Sequence, residues 1–525
     1  MGGKIVLANG VFWAHGRAPV EAVSVSDGRI QAVGTLADAR AAVGPAEEID
    51  LGGAAVLPGF VDSHLHVLNW GRGQMGVPCW PGDVSSVAEI VARVRSAGGD
   101  LPSGACLRGR GFDPGQLEER RPPTARELDL GRDRLVVLDS MDFHRRVVNS
   151  AVLERAAIGP STADPPGGLI VRDASGAPTG ELVDSARALV DPVIPPWSEA
   201  DNDEAVLVTA RHFVRQGFTR LTNAAPLTMS ATGEEIAALG RLAMRGDLPL
   251  WIRSMIKAEA TNAVSELALP EGLRLGRLIV GGLKVFADGA FGPRTAWLSE
   301  PYQDASSTGK LSTNLSDFVS LLRHAASTGW QVCVHAVGDQ AISLTAGCLA
   351  PVSSTANAHR IEHCCLTDPE TIQVMASCGL IPVPQLAFLR ERADDFLNAL
   401  GDARMHRLYP MRDWIDAGLR PLHSSDAPVA RDTRPLVALA TAITRQDASG
   451  RTWGPEQAIT PSEAISTLTM WPAMADGAVD RGRIEPGCRA DFTVLDQDPR
   501  QVPPEAWPEL KPVMTIVDGA LEWAC

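Results

Sequence analysis

Short apolar runs alternate along most of the chain with longer stretches whose apolar positions recur at helical spacing, and this alternation predicts βα units around a parallel sheet. Candidate barrel strands are Ala55 to His64, Thr219 to Asn223, Leu250 to Met255, Leu278 to Phe286, Gln331 to Val337, Ala358 to His363, Leu380 to Val383 and Leu419 to Ser424. Eight such strands are what a TIM (β/α)8 barrel requires. Before them, Lys4 to Ala8, Glu21 to Val25, Arg29 to Val33 and Glu48 to Leu51 read as strands broken by turns. A similar pattern returns after Gly482, ending in Pro512-Val-Met-Thr-Ile-Val-Asp-Gly. The pattern therefore predicts an α/β chain: a small β-sandwich from 1–57 plus 480–525, and a barrel over 58–479. The region from about 70 to 200 is too long for a βα loop and carries strands of its own, Cys106 to Gly109 and Arg134 to Leu138, so it reads as an inserted subdomain that could roof the site.

A chain of 525 residues is long enough to bury a large core. With 45% hydrophobic and 21% charged residues it has a globular composition, which excludes a disordered or fibrous class. The net charge of -15 has no Lys/Arg block to offset it, so a nucleic-acid partner is not expected. No apolar stretch reaches the length of a membrane span, and the N-terminus has no secretory pattern. The nine cysteines are scattered without zinc-finger pairs and read as reduced thiols. A cytoplasmic protein acting on a small molecule is the expectation, with no membrane partner and with a homodimer left open.

The strongest chemical signal is Val56-Leu-Pro-Gly-Phe-Val-Asp-Ser-His64-Leu-His66. Residues i and i+2 of a strand face the same side, so His64 and His66 can converge on one metal ion at the end where a barrel opens onto its catalytic face. Lys284, His335, His363 and Asp426 stand at the ends of four other predicted strands. Taken singly, each has a bland structural reading; in this order on separate strands of one barrel they form a candidate metal centre. His423, three residues before Asp426, is read as packing.

The order HxH, Lys, His, His, Asp resembles the amidohydrolase superfamily, and the surrounding text resembles its amidohydrolase family 3 branch, which includes N-substituted formamide deformylases. The matching stretches are Leu57-Pro-Gly-Phe-Val-Asp-Ser-His-Leu-His, Gly168-Leu-Ile-Val-Arg-Asp with Pro178-Thr-Gly-Glu-Leu, Leu283-Lys-Val-Phe-Ala-Asp-Gly-Ala-Phe-Gly-Pro-Arg-Thr-Ala, Val334-His-Ala-Val-Gly-Asp-Gln-Ala, Arg360-Ile-Glu-His, Ser425-Asp-Ala-Pro-Val and Ile484-Glu-Pro-Gly-Cys-Arg-Ala-Asp-Phe-Thr-Val-Leu-Asp. The resemblance implies two divalent metal ions, usually Zn2+. His64, His66 and Asp426 would hold one, His335 and His363 the other, with carboxylated Lys284 as the bridge. It further implies hydrolysis of a C–N bond by metal-bound hydroxide, with Asp426 as the catalytic residue that takes the proton and passes it to the leaving nitrogen.

The expected substrate is a small amide or N-substituted formamide. A cyclic amide, urea or carbamate stays open, as does deamination of an aromatic amine, against which Lys284 argues; a non-catalytic paralogue is weakened by the complete ligand set. His144 matches the insert's usual histidine and is a substrate-contact candidate, as are Asp288 and Arg294, although a loop-structural role fits those two equally well. Phe143 stands where a small glycine is usual, and Thr222-Asn223 lacks a frequent acidic residue, so the departures touch substrate identity. Trp70, Trp80, Phe112, Phe143 and Trp197 in the insert, with Phe291, Trp297 and Phe388 in barrel loops, could line an apolar pocket or simply pack the insert.

Overall fold

A computed structural model describes residues 3–13, 20–80, 82–99, 101–131, 133–141, 145–165, 168–225, 232–258, 261, 266, 268–353 and 358–525. The chain divides into two compact units, Met1–Val67 with Thr209–Cys525, and Leu68–Val208.

In the first unit seven strands run parallel in the order Phe60–Leu65, Phe218–Asn223, Trp251–Lys257, Leu278–Phe286, Val332–Ala336, Arg360–His363 and Ile381–Val383. The short Leu273–Leu275 pairs antiparallel with Leu278–Phe286 as an eighth strand outside this path. The expected strand at Leu419 to Ser424 does not form a regular ladder. Pro421 has no N–H to offer, and the segment instead makes isolated bonds in both directions. Leu422 donates to Pro382 O (3.0 Å), and His423 O accepts from Ser63 N (3.0 Å). Those two bonds tie the last strand of the path to the first, so the irregular segment closes the near-barrel. Helices cover its outer face: Leu315–Ser327 is capped by Asn314, whose side chain accepts from Asp317 N, and buries Phe318, Leu322 and Ala325 at helical spacing.

The expected first strand, Ala55 to His64, is two strands. Ala55–Pro58 joins Val11–Phe12, Phe492–Leu495, Pro512–Val517 and Ala520–Ala524 in a terminal sheet, whereas Phe60–Leu65 enters the barrel. Gly59 is the joint: a Cβ there would stand 2.2 Å from Thr219 Oγ1, so only glycine lets the two backbones approach. A second sheet, ordered Arg29–Gly34, Ala22–Ser26, Ile5–Ala8 and Glu47–Asp50, shares one core with the first through Leu7, Val23, Val56, Phe492 and Ile516. Both termini thus build the β-sandwich. Thr493 anchors it to the barrel, accepting from Phe60 N (3.2 Å) and donating to Gly217 O (2.6 Å).

The second unit is a mixed six-stranded sheet in which Cys106–Phe112 and Leu135–Ser140 run parallel at its centre. Val136 and Leu138 join one apolar core, Leu135 and Val137 the other, so both faces of the strand are buried. Helix Val87–Gly98 covers the first face with Ile90, Val91 and Val94. Of the insert's aromatic residues expected to line a pocket, Phe112 is fully buried in the core of this unit, Trp80 lies beside Arg110, and Trp197 lies beside Arg72 and Arg108, while Phe143 lies outside the described residues.

Candidate metal centre

At the C-terminal ends of the barrel strands, the six residues singled out as ligands come together. Ring centroids run in a row, His66 to His64 at 5.7 Å, His64 to His363 at 5.0 Å and His363 to His335 at 4.4 Å. Lys284 Nζ is 3.4 Å from His64 Nε2, and Asp426 Oδ1 is 3.3 Å from His66 Nε2 and 3.6 Å from His64 Nε2. All but His335 are more than nine-tenths buried.

Local backbone geometry makes this convergence possible. Arg360 and Glu362 point into the barrel, so strand alternation alone would send His363 outward. His363 and Cys364 adopt left-handed φ values of 69° and 47°, which break the alternation at the strand end. Asp426 is also left-handed, at 56°, and its N–H donates to His64 O (2.7 Å). Asp62 accepts from both His64 N (3.0 Å) and Ser425 N (3.2 Å), linking the segments that carry His64 and Asp426; burial pushes its carboxyl up to about 7.

The partners of each imidazole say which nitrogen is left for a ligand. His66 Nδ1 meets Ala225 O at 2.7 Å, so it donates and Nε2 keeps its lone pair. His363 Nδ1 meets Gln385 Oε1 at 2.8 Å; Gln385 Nε2 donates to Val383 O and Ser424 Oγ, which orients the amide oxygen toward the ring. His64 Nδ1 bonds Glu362, a buried carboxylate. His335 is the reverse case, with Nε2 donating to Gly289 O (2.9 Å) and Nδ1 left over. Asp426 Oδ1 has no hydrogen-bond partner although it lies against two imidazole nitrogens. With both Nδ1 atoms already donating, a carboxylate facing two lone pairs is relieved only by a proton or a cation between them. His64, His66 and Asp426 together offer three atoms within 4.8 Å of one another, and two imidazoles with one carboxylate are the donors a zinc-like ion takes. The residues fit the metal.

The electrostatics suit the same purpose. Burial holds His64 and His335 well below the usual imidazole range and His363 at about 3, so all three are neutral bases near pH 7. Burial also lowers the Lys284 ammonium, against the opposing fields of Glu362 and Asp426. Burial works against the charge of Asp426, and its carboxyl is lowered below the usual range only to the extent that His66, His64 and His363 face it with positive charge, a part that a bound cation would take over.

The substrate-contact candidates are placed differently. Asp288 accepts from Trp297 N (2.8 Å), Val337 N (3.0 Å) and Gly338 N (2.9 Å), clamping two catalytic-face loops together 3.8 Å from His335 Nε2. Arg294 pairs with Asp304 and donates to Phe291 O within its own loop. Phe291 packs edge-on against Phe396 at 5.3 Å, and Phe388 is buried beside Arg392. His144 lies outside the described residues. His423 stacks on Phe218. Sequence reasoning passed over Glu362, Gln385, Asp62 and Phe286. The last is 38% exposed, stands in register with His335 on the neighbouring strand, and holds its ring 5.2 Å from Lys284 Nζ. A signal was available for two of them: opposite charges at i and i+2 of a predicted barrel strand, as in Arg360-Ile-Glu362, share one face and can pair, and the alternation that aims Lys284 inward aims Phe286 inward too.

A parallel barrel with imidazoles, a carboxylate and a buried amine at its C-terminal mouth defines a barrel enzyme of the hydrolase type. Comparison with known proteins makes the assignment specific. The amidohydrolase family profile matches residues 47–521, so the chain belongs to the amidohydrolase family, hydrolases of carbon–nitrogen bonds other than peptide bonds. It is 32% identical over 513 residues to YtcJ of Bacillus subtilis, covering 95% of each chain. It is 30% identical over 524 residues to the N-substituted formamide deformylase of Arthrobacter pascens, covering 96% of this chain and 95% of the relative. An uncharacterized metal-dependent hydrolase from Pyrococcus furiosus superposes with a TM-score of 0.78 at 26% identity, over 94% of this chain and 99% of that one.

Proposed function

We propose that the chain is a metal-dependent hydrolase of a small, neutral N-substituted formamide or related amide. The observation that carries the metal dependence is the unpartnered Asp426 oxygen set against the ligand nitrogens of His64 and His66. One divalent ion, zinc by donor type, would be held by His64, His66 and Asp426, and a second by His335 and His363. Lys284 would bridge them as a carbamate: burial lowers its ammonium and favours loss of the proton, and the free amine would then add to carbon dioxide, forming a C–N bond while a proton leaves to water and giving a carboxylate. Bound there, the ions would supply Lewis acidity for the scissile carbonyl and lower the pKa of water.

The chain's own residues do the rest. Asp426 is ionised and positioned to take a proton from the attacking water and deliver it to the leaving nitrogen. Phe286 offers an exposed aromatic face beside Lys284 and His335, which favours an apolar N-substituent over an anionic one. The likeness to a formamide deformylase supports a small acyl group. All nine cysteines are free and no helix of the described residues is long and apolar enough to cross a membrane, which supports the cytoplasm as its place of action.

Metal analysis of the purified chain with a substrate panel tests the reading. About two ions per chain and a preference in kcat/KM for N-benzylformamide-like compounds over acidic N-acyl amino acids are expected. Absence of bound metal would refute the metal reading, and a preference for the acidic set would refute the substrate reading alone.

A further inference from the structure

Behind His64, on the side away from Asp426, stands a buried ion pair that hydrolysis itself does not use. Glu362 is 0% exposed and Arg360 1%. Arg360 Nε donates to Glu362 Oε1 (2.8 Å), and its Nη2 donates both to Glu362 Oε2 (3.1 Å) and to Ser63 O (2.6 Å). The carboxylate's other contact is His64 Nδ1. Removing either partner of such a pair strands a buried charge, whereas an aliphatic pair of similar size would often be as stable, so fold stability alone is a weak reason for it to be here.

We propose that Glu362 and Arg360 are positioning residues that lock His64 in the tautomer with hydrogen on Nδ1, so that Nε2 always presents its lone pair to the metal. The inference rests on His64 being a metal ligand. Glu362 is an acceptor at every contact, so only an Nδ1–H can face it without loss. Arg360 grips the carboxylate at both oxygens and fastens it to Ser63, the residue before His64, so ring and backbone are held from one point. Glutamine in place of Glu362 cannot satisfy both neighbours. Its amide N–H would confront either the Arg360 guanidinium or His64 Nδ1, and in the second case it favours the tautomer with hydrogen on Nε2, which blocks the ligand atom.

Two-bond 1H–15N spectra of the metal-free, 15N-histidine-labelled protein report each ring's tautomer directly, the His64 signal being identified by its loss in His64→Asn. Wild type should show His64 with hydrogen on Nδ1. Glu362→Gln should show a mixed or reversed tautomer, bind zinc about 10- to 100-fold more weakly by chelator competition, and shift the absorption bands of the cobalt-substituted protein. Arg360→Lys, which keeps the charge but loses the fork, should fall between the two, and it carries the same measurements if Glu362→Gln does not fold. His64 with hydrogen on Nε2 in the metal-free wild type would overturn the proposal without recourse to any variant. So would a folded Glu362→Gln with wild-type zinc Kd and unchanged cobalt spectrum. A wild-type chain that binds no zinc would sink the functional reading instead, while the tautomer measurement would still decide the role of Glu362.

Discussion

Replacing Lys284 with alanine separates a bridging carboxylate from a mere buried cation. The side chain is 2% exposed, with its amine 3.4 Å from His64 Nε2 and 5.2 Å from the Phe286 ring centre. Truncation removes three buried methylenes, at about 0.8 kcal/mol each, so roughly 2.5 kcal/mol of packing is lost. Part of that is returned because the variant no longer buries an amine that prefers water. The metal-free fold should therefore survive, with thermal stability modestly lowered. Function should not: losing an outer partner of a metal ligand already costs about 10- to 100-fold, and loss of the bridge itself should cost at least about 100-fold in kcat/KM together with bound metal. Metal content by plasma emission and turnover of an N-substituted formamide are measured side by side on wild type, Lys284→Ala and Lys284→Arg. Acetate or propionate should restore part of both quantities to Lys284→Ala, because a small carboxylate can occupy the bridge, while ethylamine should restore neither. In wild type, 13C-bicarbonate should add a carbamate carbon resonance that Lys284→Ala lacks. Full activity in Lys284→Arg would refute the reasoning, since a guanidinium does not take up carbon dioxide to form a bridge.

Asp426→Asn should keep the fold and some metal yet lose about 10²- to 10⁴-fold in kcat, because a carboxamide cannot accept the proton; near wild-type turnover would remove Asp426 from the proton path. Burial pushes the Asp288 carboxyl from 3.8 up to about 6, so it binds its proton more tightly in the folded chain. Its contribution to stability is thus fully present below pH 3.8 and is lost as pH rises through about 6, a swing of about 3 kcal/mol. The difference in unfolding free energy between wild type and Asp288→Asn should change across that window, and a pH-independent difference would contradict it. Gly59→Ala sets a Cβ 2.2 Å from Thr219 Oγ1 and should cost about 1–3 kcal/mol or more in denaturant titration, partly recovered by Thr219→Ala. Phe286→Ala should lower kcat/KM for aryl-bearing formamides by about tenfold while leaving N-methyl analogues nearly unchanged; equal losses on both would take Phe286 out of substrate selection.

Periodicity and residue order along the chain were enough to point to the barrel, to most of its strands and to a candidate ligand set. The reason is local: His64 and His66 share a face through strand alternation, and Lys284 sits two residues before a strand's end. Chain order also pointed to β-structure at both termini, since Leu7 and Val494 lie in apolar runs bounded by turns. Tertiary structure decided what depends on atoms far apart in sequence. It split the run through Gly59 into a sandwich strand and a barrel strand, because Thr219 leaves no room for a side chain. Barrel closure passed to an irregular segment around Leu422 and His423, whose bonds go to Pro382 and Ser63 and follow no local period. At His363 a left-handed φ turned inward a side chain that alternation would aim outward. Asp288 and Arg294, plausible substrate contacts by position, were taken up by loop amides and by Asp304. Glu362 needed both His64, 298 residues away, and Arg360 at its side before its purpose could be read. Sequence states which groups can do the chemistry; which nitrogen, which oxygen and which neighbour each one faces is set by contacts across the barrel that no spacing along one strand encodes.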